Sequence, residues 1–317
     1  MLKCLPVLAA LVASCASAYA QPPEIPRTAE GRPDFHGYWT NEFLTPLERI
    51  TGATAVVASD AEARTLVDGI LAQRGADKFE DAVAFPEARQ LARVNGEWRT
   101  SLVTDPPNGT LPLTPHGQDL RKAFPTFEVR TADNHEERSN TERCFGGPSR
   151  TPIMVPLEGM YNQIVQTDDF VVFLADHYAD LRMIGIGASH RPADVVGWVG
   201  DSVANWDGDT LVVVETINLR PDEPVRNRLV FSAQSRVIER LRLISADELL
   251  YQFTIEDPAI YDRPWMGEYS FMRTTLPVHE FACHEGNYGL PNILLGARRE
   301  DERQAEAEAG AKKAKTK

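Results

Sequence analysis

Between residues 161 and 276, apolar and polar side chains alternate through a series of short runs. Tyr161–Thr167 and Phe170–Asp176 flank Asp168-Asp169, and Leu181–Ile186 follows. Ser202–Trp206 and Thr210–Ile217 flank Asp207-Gly208-Asp209, whose glycine supplies the positive φ that a tight hairpin turn needs. Arg236–Ile244 and Leu249–Ile255 flank Ser245-Ala246-Asp247-Glu248, and Glu268–Leu276 is a further run. Period two marks half-buried strands. Short turns with no helices between the runs predict a mainly β fold, an antiparallel meander closing into a lipocalin-like barrel or a curved sheet.

The preceding segment has a different texture. Gln21 to Thr54 is rich in proline, glycine and aromatic residues and reads as an ordered, irregular arm. Ser59-Asp60-Ala61-Glu62 caps a helix on which Ala63, Leu66, Val67, Ile70 and Leu71 share a face and which Gly75 ends. A second helix is expected over Pro86–Glu97, and residues 105–118, with four prolines, are expected to be loop. The predicted organisation is a signal peptide over 1–20, an arm and helical segment over 21–140 packed on the barrel, a β-barrel-like domain over 141–297, and a charged tail over 298–317, helical or frayed.

Residues 1–20 place Lys3 ahead of an apolar stretch from Leu5 to Val12 and end in Ala18-Tyr19-Ala20, the form of a cleaved secretory signal. Val12-Ala13-Ser14-Cys15 offers the rival reading of a lipoprotein box with Cys15 lipidated. Both place the chain in the periplasm or outside the cell. No later run reaches the eighteen apolar residues of a membrane span. In an oxidising compartment, Cys144 and Cys283 are expected to form one disulfide. The alternative is a thiolate nucleophile or a metal ligand.

Charge narrows the partners. The formal net charge is −13, and loss of residues 1–20 removes Lys3 and no acid. Nucleic acids and anionic membrane surfaces select basic faces, so neither is expected as a partner. With 43% hydrophobic and 25% charged residues, the composition is that of a globular protein.

Several long motifs occur in fixed order: Gly200-Asp201-Ser202-Val203, then Trp206 and Gly208-Asp209-Thr210-Leu211-Val212-Val213; VIERLR over 237–242; Glu256-Asp257-Pro258 with Pro264-Trp265; and ACHEGNYGLPNILLGAR over 282–298. Together they resemble a widespread family of secreted bacterial proteins over about 140–298. Members usually read W-E-G-D-T-L-V-V, where this chain has Asp207 for the glutamate. The resemblance implies export and a shared fold and brings no activity with it.

Ionisable residues on apolar strand faces are the chemical candidates, because burying a charge without a purpose is costly. By period-two counting, Glu215 shares a face with Leu211, Val213 and Ile217, Glu239 with Val237, Leu241 and Leu243, Arg182 with Ile184 and Ile186, and His177 follows Val171, Phe173 and Ala175. If these faces line a barrel, Glu215 and Glu239 form an acid/base pair, with His177 or His190 as proton relay, Asp201 as orienter and Arg182 as anchor for a developing anion. Trp198, Trp206 and Trp265 are candidate stacking surfaces for a small organic ligand. The bland readings are a Glu–Arg cross-strand ion pair, capping by Asp201 and Ser202, and hairpin packing by Trp206. His279-Glu280-Phe281-Ala282-Cys283-His284 misses the H-E-x-x-H spacing by one residue, so no metal is assigned. No glycine-rich phosphate loop opens a helix, so no nucleotide cofactor is assigned, and no G-x-S-x-G elbow marks a serine nucleophile. The leading expectation is cofactor-free acid–base chemistry, as a lyase, isomerase or hydrolase, on a small organic molecule enclosed in the β-barrel cavity. The competing one is a periplasmic carrier of lipocalin type without catalysis.

Overall fold

A computed structural model describes residues 24–76, 89–123, 132–138, 142–144, 150–153, 161–176, 181–220, 229 and 231–315. The alternating runs form strands close to their expected bounds. They are β6 (Tyr161–Gln166), β7 (Phe170–Ala175), β8 (Leu181–Ile186), β9 (Asp201–Asp207), β10 (Thr210–Ile217), β11 (Arg236–Leu243), β12 (Glu248–Glu256) and β13 (Trp265–Thr274). In β11, Val237, Glu239, Leu241 and Leu243 are buried and the residues between them are not. The two-residue turn after Asp207 carries Gly208 at φ +56.

These strands pair in sequence order, and β13 is joined back to β6 by β1 (Gly37–Thr40), which pairs with both. The result is a closed nine-strand barrel. Its closing strand comes out of the segment expected to be an irregular arm. A ring of nine strands cannot alternate direction throughout, since an odd ring forces one parallel neighbour pair. That pair is β8–β9, whereas the sequence pattern predicts an antiparallel meander throughout. A parallel pair needs a crossover, and residues 187–200 supply it on the outer side of the barrel. Gly197 N donates to Asn218 O (3.1 Å) and Asn218 Nδ2 to Pro192 O (3.1 Å), fastening the crossover beside the end of β10.

Aromatic rings fill the barrel. Trp39, Phe173, Tyr251, Phe253, Trp265, Tyr269 and Phe271 are all fully buried, and Tyr251, Tyr269 and Phe271 sit 5.1–5.8 Å apart, ring to ring. At one end the arm folds over the hairpins. Arg27 grips Asp209 through both carboxylate oxygens (3.0 and 2.6 Å), Gln166 accepts from Phe35 N and donates to Pro33 O (3.0 Å each), and Phe35 packs on Trp206.

A smaller layer lies outside. Helix α1 (Asp60–Ala76) begins as its cap predicts, with Ser59 Oγ accepting from Glu62 N, and runs one residue past Gly75. It packs over β2 (Val57–Ala58), β3 (Arg93–Val94) and β4 (Glu97–Arg99) around Leu44, Ala58, Ala63, Val67 and Leu91. Residues 93–97, expected as the end of a helix, lie instead in a hairpin of β3 and β4. Asn95 (φ +49) and Gly96 (φ +83) make the left-handed turn that Asn-Gly favours. Residues 77–88, which hold the start of that expected helix, lie outside the described residues. β5 (Val103–Asp105) extends the barrel sheet along β13. The proline-rich stretch is not all loop, because α2 (Pro115–Ala123) starts there. Proline occupies its first turn, and Thr114 Oγ1 accepts from Gly117 N (3.0 Å). The tail is helical: α3 runs from Gly289 to Lys315, with Leu290, Ile293, Leu294 and Ala297 half-buried and the later turns exposed. No helix among the described residues is long and apolar enough to cross a membrane.

Cys144 and Cys283 are bridged, with Cα atoms 5.7 Å apart and a sequence separation of 139. The bond joins the segment ahead of the barrel to the one following β13, and Asn287 Nδ2 donates to Glu142 O (2.7 Å) beside it. Closing so long a loop restricts the unfolded chain. Replacing both cysteines by serine is therefore expected to lower the unfolding free energy by about 4 kcal/mol, read from urea midpoints. An unchanged midpoint would show that the bridge adds nothing.

Candidate functional site

The candidate residues separate into two polar clusters on opposite sides of the same strands. The first lies inside the barrel. Arg182 projects inward from β8 and Glu239 from β11, and both side chains are 1% exposed. Arg182 Nη1 donates to Glu239 Oε1 (2.8 Å), and its Nη2 donates to Oε2. Ser202 Oγ accepts from Arg182 Nε (3.1 Å) and Thr216 Oγ1 from Nη2 (2.9 Å), so β9 and β10 join the network. Tyr251 of β12 donates its hydroxyl to Glu239 Oε1 (2.6 Å) and accepts from Ile153 N (2.9 Å), while Tyr269 of β13 donates to Ile153 O (2.7 Å). Asn41 Nδ2 donates to Tyr269 (3.2 Å). One network thus spans six consecutive strands, β8 to β13, and latches residue 153 onto the barrel.

Burial alone would push the Glu239 carboxyl up. The facing guanidinium and the Tyr251 hydroxyl outweigh it and hold it below the usual carboxylate range. Burial, with the Glu239 carboxylate nearby, raises the phenols of Tyr251 and Tyr269 well above their ordinary value. Glu239 is therefore an ionised partner with its oxygens occupied. That is the opposite of the raised, proton-ready carboxyl that an apolar barrel lining predicts.

The second cluster lies outside, under the crossover. Glu215 does not share the face of Leu211. The pairing of β10 shifts register between Val213 and Glu215, and this bulge turns Thr216 inward (fully buried) and Glu215 outward. Period-two counting fails across such an insertion, so Glu215 and Glu239 are not a pair. Glu215 instead meets two other predicted residues. Asp201, at the start of β9, receives His190 Nδ1 (2.8 Å) and Arg191 N (2.8 Å) on Oδ2 and Arg191 Nε (2.8 Å) on Oδ1. His190 Nε2 lies 3.4 Å from Glu215 Oε2 and makes no hydrogen bond. Arg236, not anticipated from the sequence, holds Glu215 Oε1 (2.8 Å) and reaches Glu256 Oε2 (3.1 Å). Its signal was its own position: Arg236 is on the outward phase of β11, the same phase that the bulge gives Glu215.

Burial raises the Asp201 carboxyl, but the hydrogen bonds from the Arg191 backbone, His190 and the Arg191 side chain together hold it below its ordinary value. An ionised Asp201 accepts on both oxygens, so the 2.8 Å contact carries its proton on His190 Nδ1, and Nε2 faces the Glu215 carboxylate. An imidazole oriented by a carboxylate, with its far nitrogen beside a second carboxylate, is equipped to move a proton.

The remaining candidates fall elsewhere. Trp265 is fully buried, edge-on to Phe253 and Tyr261, so its ring packs the core and presents no face to a ligand. Trp198 lies in the crossover with the Arg220 guanidinium 4.4 Å from its ring. Trp206 is at the arm end, in a cleft of about 490 Å3 shared with Thr28, Arg32, His36, Asp168 and Ile186, with Arg32 5.3 Å above its ring. His177 lies outside the described residues. Asp257, from the Glu-Asp-Pro motif, is a turn-former: it accepts from Ser232 N and Oγ (2.8 Å each) and from Ala259 N (3.1 Å). Compared with family models and with curated proteins, the chain matches none.

The pKa direction at Glu239 fixes a sign. A carboxyl lowered by folding adds stability that is complete above its unfolded value, near pH 4.3, and is lost as pH falls through the folded value. Glu239→Gln, which strands a buried guanidinium, is expected to cost about 3–5 kcal/mol near pH 7 and progressively less below about pH 4. Urea midpoints across that range check it. A gap that stays constant with pH would contradict an ionised Glu239.

Proposed function

We propose that the chain is an exported enzyme performing cofactor-free acid–base chemistry on a small organic molecule, with His190, Asp201 and Glu215 as the working residues. The observation that carries this reading is His190 held through Nδ1 by Asp201 at 2.8 Å with Nε2 unbonded 3.4 Å from Glu215. In this role His190 Nε2 takes or returns the proton, Asp201 fixes the tautomer and supports the imidazolium formed in the step, and Glu215 receives or relays the proton. Arg236 keeps Glu215 in place and offers positive charge to a developing anion. The side chain of His190 is 21% exposed, so the crossover over it must yield for a substrate to enter, and catalytic contacts commonly tighten only then. Arg182 and Glu239 serve the fold in this reading and leave the chemistry to the outer cluster. Export is supported by the bridged cysteine pair, since such bonds persist in oxidising compartments.

A second reading, a binding protein without catalysis, has its own support in the cleft beside Trp206, where a stacking ring meets charged and hydroxyl groups. One experiment separates the two. The protein is incubated in D2O with a panel of esters, lactones and hydroxy acids, and each compound is followed by proton NMR. Wild type is expected to convert, or to deuterate, at least one compound. His190→Gln is expected to slow that reaction by at least about 100-fold, while Trp206→Ala leaves it unchanged. Conversion that survives His190→Gln refutes the site. Ligand-induced shifts without conversion, lost in Trp206→Ala, establish the binding protein.

A further inference from the structure

A cleft of about 410 Å3 lies between α1 and the β3–β4 hairpin, on the outer layer and away from both polar clusters. Its floor is apolar, made by Ala63, Val67 and Leu91 of the small outer core. One wall is the indole of Trp98: Nε1 donates to Asp60 Oδ1 (2.7 Å), and the Arg93 guanidinium lies over one face of the ring, 5.0 Å from its centroid. Three arginines, Arg64, Arg89 and Arg93, stand around the opening. Against them are Asp68 and Asp60, and Asp60 already accepts the indole proton. In a chain of net charge −13, the residues lining this cleft carry three guanidinium groups against two carboxylates. The arginines come from separate stretches: Arg64 from α1, Arg93 from β3 and Arg89 from the segment before it.

An apolar floor, an aromatic wall and a cationic rim match one ligand chemistry. A flat hydrophobic body fills the floor and packs on the indole, while one anionic group meets guanidinium donors at the rim. A neutral apolar compound gains the floor and leaves the rim unused, and a small inorganic anion gains the rim alone. We infer that this cleft binds an aromatic carboxylate or a similar organic anion, at a site separate from the proposed proton-transfer cluster and independent of it.

Isothermal titration of the whole protein with 2-naphthoate, and with 2-naphthalenemethanol as the neutral analogue, tests this. Naphthoate is expected to bind at a single site, with the alcohol weaker by about tenfold or more. Arg64→Gln and Arg93→Gln are each expected to weaken naphthoate by about tenfold while barely changing the alcohol. These arginines are exposed on the surface, so the variants should fold, and circular dichroism confirms it. Arg240→Gln, at an exposed arginine on the barrel, serves as the unaffected control. No saturable binding, equal affinity for acid and alcohol, or wild-type affinity in both arginine variants would overturn the inference.

Discussion

A guanidinium and a carboxylate removed from water inside one barrel set the terms for the remaining structure. Each ion separately would lose several kcal/mol of hydration, and their attraction repays this only with tight geometry and with every remaining donor and acceptor occupied. Arg182 and Glu239 meet that condition by drawing on Ser202, Thr216 and Tyr251, one from each of three further strands. The same demand reaches Ile153, whose backbone is held by the tyrosine hydroxyls. The pair therefore fixes strand register over more than half the ring. A slip by one residue would leave a buried charge without its partner. An all-apolar lining has no comparable penalty for slipping.

This arrangement divides the labour of the charged residues. Inside, the polar atoms of Arg182 and Glu239 are taken up by one another and by Ser202, Thr216 and Tyr251, which suits a core and not a reactive carboxyl. Outside, the bulge in β10 and the parallel β8–β9 step place Glu215 and Asp201 on a common surface, with the crossover delivering His190 between them. The bulge and the parallel step are both departures from a regular meander. Bulges are frequent where a side chain must be re-aimed, and the parallel step follows from having nine strands. The irregularities of the barrel are thus what assemble the outer cluster.

Much of the fold was legible because burial imposes period two on each strand, and the Asp-Gly-Asp turn announces its hairpin. Closure into a barrel was legible as well, but the strand that closes it was not, since Gly37–Thr40 is too short to show a period and sits among prolines. The hairpin at Asn95-Gly96 carried a clear turn signal that a helix reading of 86–97 overrode. Of the candidate site residues, His190 and Asp201 were found through their place in one loop, and Glu239 and Arg182 through the cost of their burial. Period counting named Glu215 but put it on the wrong face, because a single inserted residue reverses the phase. Arg236 passed unnoticed as an ordinary outward cation. Trp265 looked like a ligand platform only because sequence does not distinguish a ring packed in the core from one at a surface.

The tautomer and partner of His190 decide whether the outer cluster has the geometry that proton transfer needs. Long-range proton–nitrogen NMR of the 15N-labelled protein reads this without any substrate. At a pH where the ring is neutral, the Nδ1-protonated form is expected for His190, shifting toward a tautomer mixture in Asp201→Asn while Glu239 variants that remain folded leave it unchanged. A His190 ring protonated on Nε2, or one indifferent to Asp201→Asn, would contradict the assignment of the outer cluster as the working site.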